Sequence, residues 1–91
     1  MTYRLKTPKS IKTTMRALPG HIRQRANNLV KALANDPRPS EAEELRGKPG
    51  VYRIKLDKWR LIYRVDDDAS LVIVFGVRRK TGPETYENLE D

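Results

Sequence analysis

Apolar positions recur with two different periods along this chain. Ile11, Met15 and Leu18 fall at helical spacing, as do Ile22, Ala26, Leu29, Val30 and Leu33. Pro19 and Gly20 separate the two runs, so the pattern predicts two amphipathic helices joined by a tight turn, the second covering about 20–35. Thr7 suits the N-cap of the first helix, with Pro8 at its first helical position, where a missing N–H costs nothing. The prolines of "NDPRPS" end the second helix. Ahead of both, "TYRLK" reads as a short strand with Tyr3 and Leu5 on one side.

From Val51 the period falls to two, and 51–56, 59–65 and 71–77 read as three strands. The stretch before them, "EAEELRGKPG", is a polar connector with a helical turn capped by Ser40 and Glu43, broken by Gly47, Pro49 and Gly50. Asp66, Asp67 and Asp68 form a solvated turn before the last strand. The predicted fold class is therefore α+β: an N-terminal strand, an α-helical hairpin, then a three-stranded antiparallel meander, with the helices packed on one face of the sheet. All of 1–91 makes one domain, long enough to bury roughly 60 to 65% of the surface that its unfolded form exposes.

If Asp57 and Lys58 are the two turn residues of the first hairpin, its register is fixed. Leu56 then pairs with Trp59, Ile54 with Leu61 and Tyr52 with Tyr63, all on one apolar face. The other face sets Lys55 against Arg60, Arg53 against Ile62 and Val51 against Arg64. Like charges directly opposite cost a few tenths to about 1 kcal/mol. Asp-Lys is not a favoured hairpin turn, and an odd-length loop with a bulge would shift these partners. Shortly after the third strand come Arg78, Arg79 and Lys80, then Tyr86, an aromatic able to stack a base among phosphate-binding cations. "TGPE" suits a capped turn, with Thr81 as N-cap and Glu84 closing the box.

Charge sharpens this picture. The formal net charge is +7, and residues 1–40 hold nine lysines or arginines against the lone Asp36. Such an excess points to a polyanionic partner, nucleic acid or an acidic protein. There is no cysteine, so neither disulfides nor thiolate metal sites are available. Nor is there a signal-peptide pattern or an apolar run long enough for a bilayer, so a cytoplasmic protein without a membrane association is expected.

The order of elements, "LRGKPGVYRIKL" leading into "WRLIYRVD", a hydrophobic last strand, a basic run and a late tyrosine together resemble the RelE-type toxins of bacterial type II toxin–antitoxin systems, within the RelE/ParE superfamily. That resemblance implies a ribosome-dependent mRNA endoribonuclease held silent by a cognate antitoxin. Its partners would be the antitoxin, the 70S ribosome and mRNA, with no small-molecule cofactor. Carried over residue by residue, the family's working face falls on Arg53 and Lys55, on Arg60, on an arginine after the last strand, and on Tyr86. For that arginine, Lys80 is favoured by position and Arg79 or Arg78 by residue type.

Cleavage of RNA by its own 2′-hydroxyl without a metal needs a base, cations for the charge growing on phosphorus, and an acid for the leaving oxygen. His21 stands alone at the start of a helix remote in sequence from the basic face, and no carboxylate–histidine cluster is evident, so lysine and arginine must do the work. A lysine acts as base only when neutral, and neighbouring cations disfavour its charged form. Lys55 is accordingly the expected base, Arg53 and Arg60 the phosphate clamps, Arg79 or Lys80 the proton donor, Tyr86 the stacking group, and Arg64 and Arg78 further RNA contacts. Two alternatives remain: a ParE-like inhibitor of DNA gyrase, and a basic module that binds RNA or ribosome without cutting.

Overall fold

The computed structural model describes residues 2–79. Lys80, Tyr86 and the capped turn of Thr81 and Glu84 lie outside the described residues. The elements run β1 (Arg4–Lys6), α1 (Lys9–Arg16), α2 (Gly20–Leu33), β2 (Glu43–Glu44), β3 (Val51–Leu56), β4 (Trp59–Asp66) and β5 (Leu71–Arg79). They build an α+β domain with one five-stranded sheet in the order β1-β5-β4-β3-β2.

Both helices are led in by proline. Pro8 and Pro19 take the extended cap conformation (φ −57°, ψ 155° and φ −53°, ψ 148°), close to the φ that the ring imposes. The carbonyl of Pro8 accepts the N–H groups of Ile11 and Lys12, both at 3.0 Å, and that of Pro19 accepts Arg23 at 2.8 Å. The cap of α1 thus falls on Pro8, one residue after the expected Thr7, and no side chain caps either helix. Helix α2 stops two residues earlier than expected, where the Ala32 carbonyl takes the N–H groups of both Asn35 and Asp36.

The apolar stripes meet as predicted. Met15 and Leu18 join Ile22, Ala26, Val30 and Leu33 in one core with Ile54, Leu56, Leu61, Tyr63, Val65, Val72, Val74 and Val77 of the sheet. Burying such side chains is the main favourable term for a domain of this size. Tyr63 is fully enclosed; its ring stacks on Tyr52 with centroids 5.7 Å apart, and its hydroxyl donates to the Pro37 carbonyl at 2.7 Å. Burial raises the Tyr63 phenol above its ordinary range, so that it stays a donor.

The simple meander needs correction at both edges of the sheet. β1 pairs in parallel with β5, Leu5 opposite Val72, so the N-terminal strand belongs to the same sheet and makes it mixed. At the other edge, the connector holds no helical turn capped by Ser40 and Glu43. A single turn closes from Ala42 N–H to the Pro39 carbonyl at 2.9 Å, after which Glu43 and Glu44 pair antiparallel with Arg53 and Tyr52. Two adjacent glutamates carry no alternation to reveal a strand, and charge is a usual feature of a short edge. The acidic turn is also more than solvated. Asp67 accepts two hydrogen bonds from Arg38 and one from the Tyr3 hydroxyl, tying the loop after α2 and the start of the chain to the β4–β5 turn. Those bonds hold the Asp67 carboxyl below the usual range, Arg38 contributing most.

Candidate nucleic-acid interface

The first hairpin adopts the register that the two-residue turn demands. Lys55 stands opposite Arg60, Arg53 opposite Ile62 and Val51 opposite Arg64. Asp57 pays for the unfavourable turn chemistry with a left-handed φ of 60°, which Asp tolerates better than most non-glycine residues. Since opposed residues share a face, Arg53, Lys55, Arg60 and Arg64 all project away from the side that carries Ile54, Leu56, Leu61 and Tyr63.

A β-bulge decides which arginine of the third strand joins them. Between β4 and β5, Ile62 faces Gly76 but Tyr63 faces Val74, leaving Phe75 as the extra residue. Before the bulge Val72 and Val74 turn to the core. After it the phase is reset so that Gly76 lies on the basic face, Val77 in the core, and Arg78 directly opposite Arg60. Arg79 is opposite Trp59, on the helical side, where it borders a hollow with Pro19, His21 and Lys58. The arginine brought to the basic face is therefore Arg78, whereas Arg79 turns from it.

Within this face the cations are not equivalent. Lys55, Arg64 and Arg78 are exposed. Arg60 is only 5% exposed: its Nη1 donates to the carbonyls of Asp57 at 3.0 Å and Trp59 at 2.9 Å, so it braces the tip of its own hairpin. Arg53 is partly buried and forms an ion pair with Glu43, its Nε donating to Oε1 at 2.9 Å. The Arg53 hydrogen bonds and charge, with smaller help from Lys55 and Arg60, keep the Glu43 carboxyl below its usual range. A carboxylate thus sits where a phosphate oxygen would find the same guanidinium. Ile62 is 1% exposed although it lies on this face, and Gly76 beside it is a necessity of packing. A Cβ there would lie 3.2 Å from Ile62 Cβ and 4.0 Å from Arg78 Nε.

Two residues of the face escape sequence reasoning. Glu43 hides in a connector without periodicity. Phe75 looks like one more core residue of an apolar strand, yet it is 44% exposed and shares a shallow apolar shelf with Val51, Arg64 and Ile73. Alternation sets Phe75 out of phase with Val72 and Val74, but an unbroken apolar run does not say which phase faces the core. Among the described residues no three His, Cys, Asp or Glu side chains gather in a way that could hold a metal ion, and no helix is long and apolar enough to cross a membrane.

Comparison with known proteins agrees with this geometry. Residues 9–81 match the family model described as the ParE toxin of the type II toxin–antitoxin system parDE. The chain is 34% identical over 73 residues to the mRNA interferase toxin RelE of Escherichia coli strain K12, covering 78% of this chain and 76% of the relative. The isolated E. coli RelE toxin superposes with a TM-score of 0.76 at 28% identity, over 97% of this chain and 95% of that one. A chain of the archaeal RelE–RelB complex from Pyrococcus horikoshii OT3 gives 0.80 at 25% identity, over 91% and 100%. With its fold and its sequence both shared with such relatives, the chain belongs to the RelE/ParE family of type II toxin–antitoxin toxins.

Proposed function

We propose that this chain is an mRNA interferase toxin that cuts messages held in a translating ribosome, without a metal, and is silenced by a cognate antitoxin. The observation that carries the reading is the register across three adjacent strands, Lys55 opposite Arg60 and Arg60 opposite Arg78, which concentrates cations on one face. The name of the E. coli relative, an mRNA interferase, supports the activity, and the RelB bound to the P. horikoshii relative supports the partner.

In this reading the Lys55 amine takes the 2′-hydroxyl proton as the 2′-oxygen bonds to phosphorus. The bond from phosphorus to the 5′-oxygen then breaks, leaving a 2′,3′-cyclic phosphate and a 5′-hydroxyl. Arg53 and Arg78 stabilise the charge growing on the phosphorane, and Arg60 adds its field while holding the hairpin tip. Arg64 grips the neighbouring backbone. The proton for the leaving oxygen is assigned to Lys80 rather than Arg79, because Arg79 turns to the helices and a guanidinium holds its proton too tightly to donate it. The shelf at Phe75 offers aromatic surface to bases, and Tyr86 keeps the stacking role that the family resemblance implies. Glu43 has to release Arg53 for phosphate to bind.

A set without a histidine pair or metal is a weak catalyst for free RNA. A ribosome that holds the message in attack geometry supplies what the side chains lack. An antitoxin presenting acidic residues to the face would compete for the same cations. Toeprinting of a translated message with wild type and Lys55→Ala tests the reading: cleavage is expected from the first only, and equal cleavage would remove Lys55 from the mechanism. The match to the ParE model favours a second reading, inhibition of DNA gyrase. A supercoiling assay separates the two, since the interferase should leave gyrase untouched. Retained salt-sensitive RNA binding with intact transcripts would instead identify a non-catalytic binding module.

A further inference from the structure

The helical layer carries a second concentration of positive charge that the sheet face does not use. Between α1 and α2 runs an open groove of about 330 Å³ whose walls hold Lys12, Arg16, Arg23 and Lys31 over a floor of Met15 and Val30. All four cations are exposed, none of the lining residues is acidic, and the chain has no Asp or Glu before Asp36. Lys12 and Arg16 stand one turn apart on α1, a spacing at which like charges destabilise a helix. Arg23 Nη1 reaches across the hairpin to the Arg16 carbonyl at 3.3 Å and so joins the two walls.

The floor decides what such a groove can hold. Met15 and Val30 are 6% and 8% exposed, so much of the groove's accessible apolar surface belongs to the other lining residues, most of which end in charge. What the groove offers is charge, set in a concave line. Arg23 to Lys31 covers about 12 Å of helix axis, comparable to roughly three or four phosphates of one nucleic-acid strand. There is no aromatic residue in the lining to stack a base, so recognition would follow the backbone and ignore sequence. We propose that this groove is a second RNA site, which grips the phosphate backbone of a structured RNA while the opposite face of the sheet engages the strand to be cut. The choice of RNA among polyanions rests on the interferase reading.

The test is binding of a labelled RNA stem-loop, 2′-O-methylated so that it cannot be cut, measured by fluorescence anisotropy over a range of salt. The full chain is compared with a groove variant (Lys12→Gln, Arg16→Gln, Arg23→Gln, Lys31→Gln) and a control variant (Arg25→Gln, Arg46→Gln) at exposed cations outside the groove. The groove variant should lose tenfold or more in affinity and roughly three units of log–log salt slope, while the control variant keeps most of both. If the fourfold variant does not give the wild-type melting curve, Lys12→Gln with Lys31→Gln should lose about half that slope. An unchanged affinity and slope in the groove variant would overturn the proposal, as would a loss confined to an acidic peptide or to anionic vesicles. Because the RNA is uncuttable, loss of stem-loop binding upholds the groove even where wild type fails to cleave a translated message, an outcome that would strike only the interferase reading.

Discussion

Gly76 and Glu43 show how single positions shape the basic face. A methyl group at Gly76 would approach Ile62 Cβ to 3.2 Å and Cγ1 to 3.3 Å, and Ile62 is enclosed within a strand and has little room to yield. Gly76→Ala is therefore expected to destabilise the fold by about 1–3 kcal/mol, read as a lower urea midpoint. It should also depress cleavage, since Arg78 lies against the same space. Glu43→Gln should act in the opposite sense on RNA. It removes the carboxylate that competes for Arg53, and affinity for uncuttable single-stranded RNA at low salt should rise a few-fold, the scale of an exposed ion pair. Weaker binding would show that Glu43 orients Arg53 for the ligand rather than withholding it.

At the scale of elements, the loop after α2 is held by the core itself. Tyr63 sends its hydroxyl to the Pro37 carbonyl, so Tyr63→Phe should cost about 1 kcal/mol and lower the melting temperature by about 4–8 °C. Both helices and the β3–β4 register were legible in the sequence, because long apolar stripes and a two-residue turn leave few alternatives. The register in turn revealed Arg53, Lys55, Arg60 and Arg64. What escaped depends on contacts distant in sequence. β1 finds its parallel partner across most of the chain, and β2 is two glutamates long. The bulge at Phe75 has no local signature in "LVIVFGV", yet it alone sends Arg78 rather than Arg79 to the basic face. Arg60 reads from the sequence as a phosphate clamp, and the carbonyls left by its own tight turn take up one end of its guanidinium.

Across the whole molecule, charge organises both stability and function. The Arg38–Asp67–Tyr3 cluster joins the start of the chain, the loop after α2 and the β4–β5 turn. Since the folded Asp67 carboxyl lies below its ordinary value, its contribution is complete above the unfolded pKa of about 3.9 and is lost as pH falls through the lower folded value. Asp67→Asn should thus melt below wild type at neutral pH, and the two melting curves should converge in acid. A gap that persists at the lowest pH would point to packing rather than charge. The central claim concerns the other side of the sheet, where the bulge and the hairpin register aim Lys55 and Arg78 at one site and leave Arg79 outside it. Its most direct measurement is the mapping of RNA ends from a translated message exposed to wild type, Lys55→Ala, Arg78→Ala and Arg79→Ala. Cleavage within codons by wild type and Arg79→Ala, with a loss of about a hundredfold or more in the other two, is the result expected; cleavage that survives in Lys55→Ala and Arg78→Ala but vanishes in Arg79→Ala would contradict it.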